Sequence, residues 1–329
     1  MIVHEDIGSL DLRALARPRV VTVGVFDGLH RGHQRLVRRA VERAAQGEGT
    51  GGAAVVLTFP NHPLSVLAPP YTPRQLVSAE RKRELLGKLG VSVVVMPPFT
   101  REMASTPAGV FLEEVLLRKC AADAIVAGGD FRFGMDGRGD TRLLAEAGRA
   151  RGFELEVLPP LHHGDWLISS TRIRELIEEG RVRLAGEMLG RPYDLSGMVV
   201  HGFGRGRQLG FPTANLEFDA DFVIPASGVY AVLVAFADGR LVGGMMNIGT
   251  SPTFGDAGRR AEVFLFDYEG ESLYGSTLRV YFVERLREER KFVSTEDLQG
   301  RLRVDERIAR ALIEAFPARA DPDGLGPPV

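Results

Sequence analysis

His30 and His33 stand three residues apart in the stretch VGVFDGLHRGH (residues 23–33), which opens as an apolar strand, breaks at glycines and enters a helix. At a helix start the backbone N–H groups lack intrahelical partners and the dipole is positive, which together suit a phosphate. Three-residue spacing near such a start lets both rings face the same side. Gly32 between them lets a ligand approach the backbone closely. Two imidazoles can donate hydrogen bonds to the charge on a pentavalent phosphorus without acting as nucleophiles. The bland alternative is a pair of solvated or capping histidines; zinc is disfavoured, because no HExxH or cysteine-rich context accompanies them.

A second group lies in GFGRGRQLGFPTAN (residues 202–215). Gly202, Gly204, Gly206 and Gly210 permit a loop whose amides fold over phosphates, although no GK[ST] follows to make a P-loop. The hydroxyl of Thr213 and the amide oxygen of Asn215 are hard oxygen ligands of the kind Mg²⁺ takes. A third group is ISSTRIR (residues 168–174): Ser169, Ser170 and Thr171 lead into a helix as a capping run, with Arg174 one turn on.

These groups need elements to hold them. Residues 19–25, 53–59, 91–96, 124–127 and 154–158 read as short β-rich runs, and residues 32–45, 79–89 and 109–119 as helices between them. Strands separated by helices of that length imply crossover connections and a parallel sheet covered on both faces, with ligands beyond the carboxyl ends of the strands. From Ser196 glycines become frequent, and runs 229–236, 241–248 and 278–283 follow closely, which suggests an antiparallel barrel or sandwich. Residues 295–316 read as a closing helix, capped by Ser294 or Thr295, with Leu298, Leu302, Ile308, Leu312 and Ile313 on one side. The last ten residues are rich in Pro and Gly and read as disordered.

At 329 residues two domains are expected. Lys and Arg number 41 against 43 Asp and Glu, a formal charge of −2, which gives no electrostatic case for nucleic acid or an anionic membrane surface. Cys120 is the single cysteine, so an intramolecular disulfide is impossible and a reducing cytoplasm fits. The start, MIVHED, lacks the features of a signal peptide. A cytoplasmic protein is the plain reading.

Taken in order, the motifs resemble those of the bacterial bifunctional riboflavin kinase/FMN adenylyltransferase family, over residues 20–316. Residues 23–33 look like its nucleotidyltransferase signature, which assigns Gly24, Phe26, Asp27 and Gly32 to ATP and His30 and His33 to catalysis. Residues 168–174 look like its second ATP motif, with Ser169, Ser170, Thr171 and Arg174 on the phosphates. Its flavin-side loops are matched by TFPNHP (residues 58–63) and GGDFRFG (residues 128–134), which implies that Phe59, His62, Asp130 and Phe131 lie near nucleotide or FMN. The family often has an acidic residue where this chain has Asn61. GxPTAN is similar to the ATP and metal motif of riboflavin kinases, and AEVFLFDY (residues 261–268) places Glu262 as the general base, with Phe264 where the family usually has His. Arg287 and Phe292, in LREERKF, fall on the kinase's flavin side. The resemblance implies a Rossmann-like α/β nucleotidyltransferase domain over residues 1–188, then an antiparallel β-barrel kinase domain over 189–317 with a C-terminal helix, and a tail over 318–329. Its substrates would be ATP, riboflavin and FMN, with Mg²⁺ as cofactor. A single-activity enzyme, a non-catalytic flavin or nucleotide sensor and an RNA-binding protein are the rival readings.

Overall fold

The computed structural model describes residues 1–47, 51–201, 211–250, 259–270, 272–290, 292–317 and 321–325. The chain forms two compact units, dividing after Ser169.

In the first unit, six strands form one parallel sheet: β1 (Ile2–His4), β2 (Arg19–Val23), β3 (Ala53–Leu57), β4 (Val93–Val95), β5 (Ala124–Gly128) and β6 (Glu154–Leu158), in the order β1-β4-β3-β2-β5-β6. The central strands are apolar at nearly every position, as expected when both faces are covered. Alternate residues feed two separate cores. Val21, Val23, Val55, Leu57, Ile125 and Ala127 face Phe111, Leu116 and Leu144, from the helical segment Phe111–Lys119 and from α3 (Thr141–Arg151). Val20, Ala54, Ala124 and Val126 face Ala40 and Ala44 of α1 (Arg31–Ala45). The alanines let α1 lie close to the sheet. Helix α2 (Ala79–Lys88) precedes β4.

The chain leaves β2 toward β3 on one side and reaches β5 on the other. This reversal of strand order opens a crevice at the carboxyl ends of β2 and β5, where ligands bind in such sheets. Edge strand β1 comes from the first residues, where the periodicity is too short to register as a strand. A small hairpin of β7 (His162–His163) and β8 (Trp166–Leu167) follows β6.

The second unit opens with α4 (Ser170–Glu178) and α5 (Val182–Leu189), followed by six strands: β9 (Tyr193–Val200), β10 (Thr213–Phe218), β11 (Gly228–Ala235), β12 (Leu241–Thr250), β13 (Arg259–Leu265) and β14 (Thr277–Arg287). They close into an antiparallel barrel in the order β10-β13-β12-β11-β14-β9, which decides between barrel and sandwich. Tyr193, Tyr230 and Phe282 are fully buried together, with Tyr230 and Phe282 edge-to-face at 5.6 Å. A six-stranded barrel is narrow enough for side chains to fill.

The outer face is covered by α6 (Thr295–Glu314), capped by Ser294, whose Oγ accepts the Asp297 N–H at 3.1 Å. Leu302, Ala309, Leu312 and Ile313 pack on Met245, Phe264 and Phe266. One expected contact is corrected: Ile308 is 42% exposed, and its neighbour Ala309 is the buried residue. Facing a β-strand surface at close range, the helix turns its small side chain inward. Of the C-terminal tail, Asp323 accepts a hydrogen bond from the Tyr281 hydroxyl at 2.7 Å; residues 318–320 and 326–329 lie outside the described residues.

Candidate active sites

In the first unit the segment after β2 turns through three left-handed residues, Phe26 (φ 49°), Gly28 (φ 76°) and Leu29 (φ 43°). Glycine adopts this conformation freely, but Phe26 and Leu29 do so at a cost. Both are buried, so packing holds them there. The turn delivers His30 as the cap of α1: its Nδ1 accepts the His33 N–H at 3.3 Å. A nitrogen that accepts carries no proton, so the neutral ring of His30 has its N–H at Nε2. The two imidazoles stack with centroids 3.5 Å apart, and Phe26 meets His33 edge-on at 5.2 Å.

His33 is held well below the usual imidazole value, first by burial and then by neighbouring His30 and Lys82. It is therefore neutral at pH 7, and its Nδ1 is buried with no hydrogen-bond partner among the described residues. An unpartnered imidazole nitrogen at a helix start, in the tautomer that protonates it, is a donor that a bound phosphate would satisfy. A Cβ on Gly32 would lie 3.1 Å from the His30 ring, and one on Gly24 would lie 2.9 Å from the Phe26 ring. Both glycines make room for the aromatic side chains of the loop itself.

Lys82 of α2 is a residue that motif reading passes over. It is 3% exposed, and Nζ donates to the carbonyls of Val25 and Phe59, each at 2.8 Å. Thr58 Oγ1 donates to the same Val25 carbonyl at 3.0 Å. Lys82 thus ties the segment after β2 to the segment after β3. Burial pushes its ammonium down to about 8, against the opposing pull of Asp27. Its signal was present in the sequence: Lys82 shares an apolar stripe with Leu85 and Leu86, where a lysine is out of place.

A cavity of about 510 Å³ opens at the crevice, walled by Gly24, Phe26 and His33 on one side, by Phe59, Phe99 and Met103 on another, and by Gly128, Asp130 and Phe131 after β5. Phe59 and Phe99 meet edge-to-face at 5.2 Å. Phe133 belongs to the core, and the half-buried Phe131 stacks on it at 5.4 Å. Asp27, His30, Gly32 and His62 are not on the cavity wall. Asp27 instead accepts the Leu76 N–H at 3.0 Å, and His62 Nδ1 accepts the Leu64 N–H at 3.1 Å. Asn61 clamps the Phe99 backbone, accepting its N–H at 2.8 Å and donating to its carbonyl at 3.1 Å. An ionised carboxylate, an acceptor only, could not do both. Ser169 closes the first unit, while Ser170, Thr171 and Arg174 form the first turns of α4 in the second.

In the barrel, Asn215 of β10 pairs directly with Glu262 of β13, and Thr213 with Phe264. On its other side Glu262 pairs with Asn247 of β12. Directly opposed residues share a sheet face, so Thr213, Asn215, Glu262 and Asn247 stand on the outer face, the one α6 partly covers. Phe264 continues that row into the apolar cluster, edge-to-face with Phe211 at 5.0 Å. Asn247 stands outside the motifs above; the register makes it a neighbour of Glu262. The donor set of Thr213 and Asn215, two oxygens on one strand face beside a carboxylate, fits a magnesium ion. Arg287 donates from Nε to the fully buried Asp305 of α6 at 2.8 Å and lies 5.5 Å from the Phe292 ring. Gly202, Gly204, Gly206, Gly210 and residues 251–258 lie outside the described residues.

An FAD synthetase model matches residues 12–172, and a riboflavin kinase model matches residues 189–313. The bifunctional riboflavin kinase/FMN adenylyltransferase of Escherichia coli K12 is 35% identical over 291 residues, spanning 88% of this chain and 91% of that protein. The enzyme of the same name from Pseudomonas fluorescens is 37% identical over 306 residues, spanning 93% and 96%. A solved structure from Streptococcus pneumoniae, described as a macrolide-efflux protein, superposes with a TM-score of 0.84 at 34% identity, covering 94% of this chain and 98% of that one. Among the described residues no helix is long and apolar enough to cross a membrane. Two matched models in tandem and relatives of this identity along nearly the whole length give one conclusion: the chain belongs to the bifunctional riboflavin kinase/FMN adenylyltransferase family.

Proposed function

We infer that this enzyme makes both flavin cofactors, phosphorylating riboflavin to FMN in the barrel and adenylylating FMN to FAD at the parallel sheet. The observation that carries the reading is the row Thr213, Asn215, Glu262, Asn247, which gathers hard oxygen donors and a carboxylate from strands remote in sequence. Glu262 takes the proton of the ribityl 5′-hydroxyl as that oxygen attacks the γ-phosphorus of ATP; the bond to the bridging oxygen breaks, and ADP leaves. Thr213 and Asn215 would hold Mg²⁺, which neutralises charge on the phosphates. The segment of Gly202, Gly204, Gly206 and Gly210 would fold over them, and Arg287 and Phe292 would border the flavin.

At the first site the FMN phosphate attacks the α-phosphorus of a second ATP and pyrophosphate leaves. His33, kept neutral by its surroundings, and the Nε2–H of His30 stabilise the developing charge as hydrogen-bond donors, together with the start of α1. Gly24 and Phe26 line the nucleotide side, with Phe59, Asp130 and Phe131 toward the flavin. Ser169, Ser170, Thr171 and Arg174 are assigned to the triphosphate on their sequence motif. The near-neutral charge and the single cysteine support a cytoplasmic enzyme without nucleic-acid or membrane partners. Incubation with riboflavin and Mg·ATP, followed by chromatography, tests both steps. FMN followed by FAD is expected; FMN alone would leave a single-activity enzyme, and binding without turnover would leave a sensor.

A further inference from the structure

Helix α1 carries a second feature outside the cavity of the first unit. Arg31, Arg35, Arg38 and Arg39 line a separate pocket of about 270 Å³, with Glu42 and Glu156 on its wall. All four arginines are half-buried. Arg39 is neutralised, donating to Glu156 at 2.7 Å and lying 3.4 Å from Glu42. Arg31 and Arg35 have no carboxylate partner among the described residues. Burial and the charge of Arg31 hold the Arg38 guanidinium below its ordinary value. Glu42 partly offsets the charge of Arg38, but half-buried like charges in excess of their counterions are costly, and four arginines against two glutamates leave this pocket at +2. The pocket also lies on the ligand-binding edge of the sheet. Its wall includes Leu158, at the carboxyl end of β6, whose carbonyl accepts the Gly129 N–H at 3.1 Å, next to Gly128 of the cavity wall.

We propose that Arg31, Arg35 and Arg38 form a binding site for a diphosphate group, separate from the His30–His33 centre. The planar guanidinium matches phosphate oxygens two at a time. The pocket is of single-ligand size, and its two carboxylates disfavour an extended polyanion. Two sources supply that chemistry, free pyrophosphate and the diphosphate of a nucleotide. The site rests on these side chains and not on adenylyl transfer, so the two readings fail separately.

The test is calorimetric titration of the full chain with sodium pyrophosphate, and with ADP, in low salt. It uses wild type, H30A/H33A, R35Q/R38Q and R31Q, each checked for folding by circular dichroism. A pyrophosphate or ADP site is expected to persist in H30A/H33A. It should weaken by about tenfold or more in R35Q/R38Q, weaken in R31Q as well, and lose affinity as salt screens the charges. Pyrophosphate binding that R35Q/R38Q weakens assigns the free anion; ADP binding without it assigns the nucleotide only where R35Q/R38Q weakens it, since the barrel also binds ADP. Absence of both from H30A/H33A, or wild-type affinity in R35Q/R38Q and in R31Q, overturns the proposal.

Discussion

Asn215 and Glu262 lie directly opposite each other across β10 and β13, although 46 positions separate them in the chain. The pairing puts the amide that would hold a metal beside the carboxylate that would take a proton, on one sheet face. With Asn247 on its other flank, Glu262 is fixed between two amides by backbone hydrogen bonds rather than by a loop. Such a frame leaves the carboxylate little freedom to wander from a productive geometry.

Replacement of Glu262 by Gln keeps shape and removes the base. FMN formation is expected to fall by about 10²–10⁴-fold, with FAD formation from supplied FMN unchanged. Stopped assays of each step on the same preparation check this, and near-normal FMN production would remove the role of Glu262.

His30→Ala combined with His33→Ala should act in reverse. Loss of two donors at the transition state is worth about 10²–10³-fold or more in FAD formation, while FMN formation continues. Loss of the His30 cap should also cost about 1 kcal/mol of stability. Both activities falling together in a folded variant would contradict independent sites.

The depressed His33 also sets a pH dependence. In the unfolded chain its imidazole takes a proton near 6.5, whereas the folded site resists it. The unfolded state therefore binds more protons below that pH, and the stability tied to His33 is present above about 6.5 and lost as pH falls toward the folded value. Urea midpoints from pH 7.5 to 5 should decline, and His33→Gln should flatten the decline. Equal slopes in the two proteins would mean that His33 titrates normally.

Lys82→Met removes the group that binds the Val25 and Phe59 carbonyls. The buried Phe59 carbonyl loses its side-chain donor, at about 1–3 kcal/mol, while the Val25 carbonyl keeps the Thr58 hydroxyl; the cost is partly offset because a buried ammonium no longer needs to be held. FAD formation should drop more than FMN formation, since the carbonyls belong to the two segments that wall the first cavity. A variant with unchanged FAD kinetics would make Lys82 purely structural.

Much of the architecture was legible because it is local. Apolar runs such as residues 53–57 and 124–127 have the length and composition of strands buried on two faces, and Ser294 announces the start of α6. The paired histidines were legible as well, since a helix start and three-residue spacing are chain-local facts. Ile308 was misplaced because helical periodicity alone does not say which small residue meets a sheet at close range. Lys82 was missed because its partners are two carbonyls far along the chain.

By itself the sequence determined which residues could carry phosphate chemistry and that one part of the chain must be α/β and the next mainly β. Periodicity, capping and turn chemistry act over a few residues, so they can be read without the fold. Only the tertiary structure decided that Asn215, Glu262 and Asn247 share a row, that the outer face of a closed barrel presents them, and that burial keeps His33 neutral. Strand register and desolvation arise from contacts between distant segments, and no short stretch of sequence contains them.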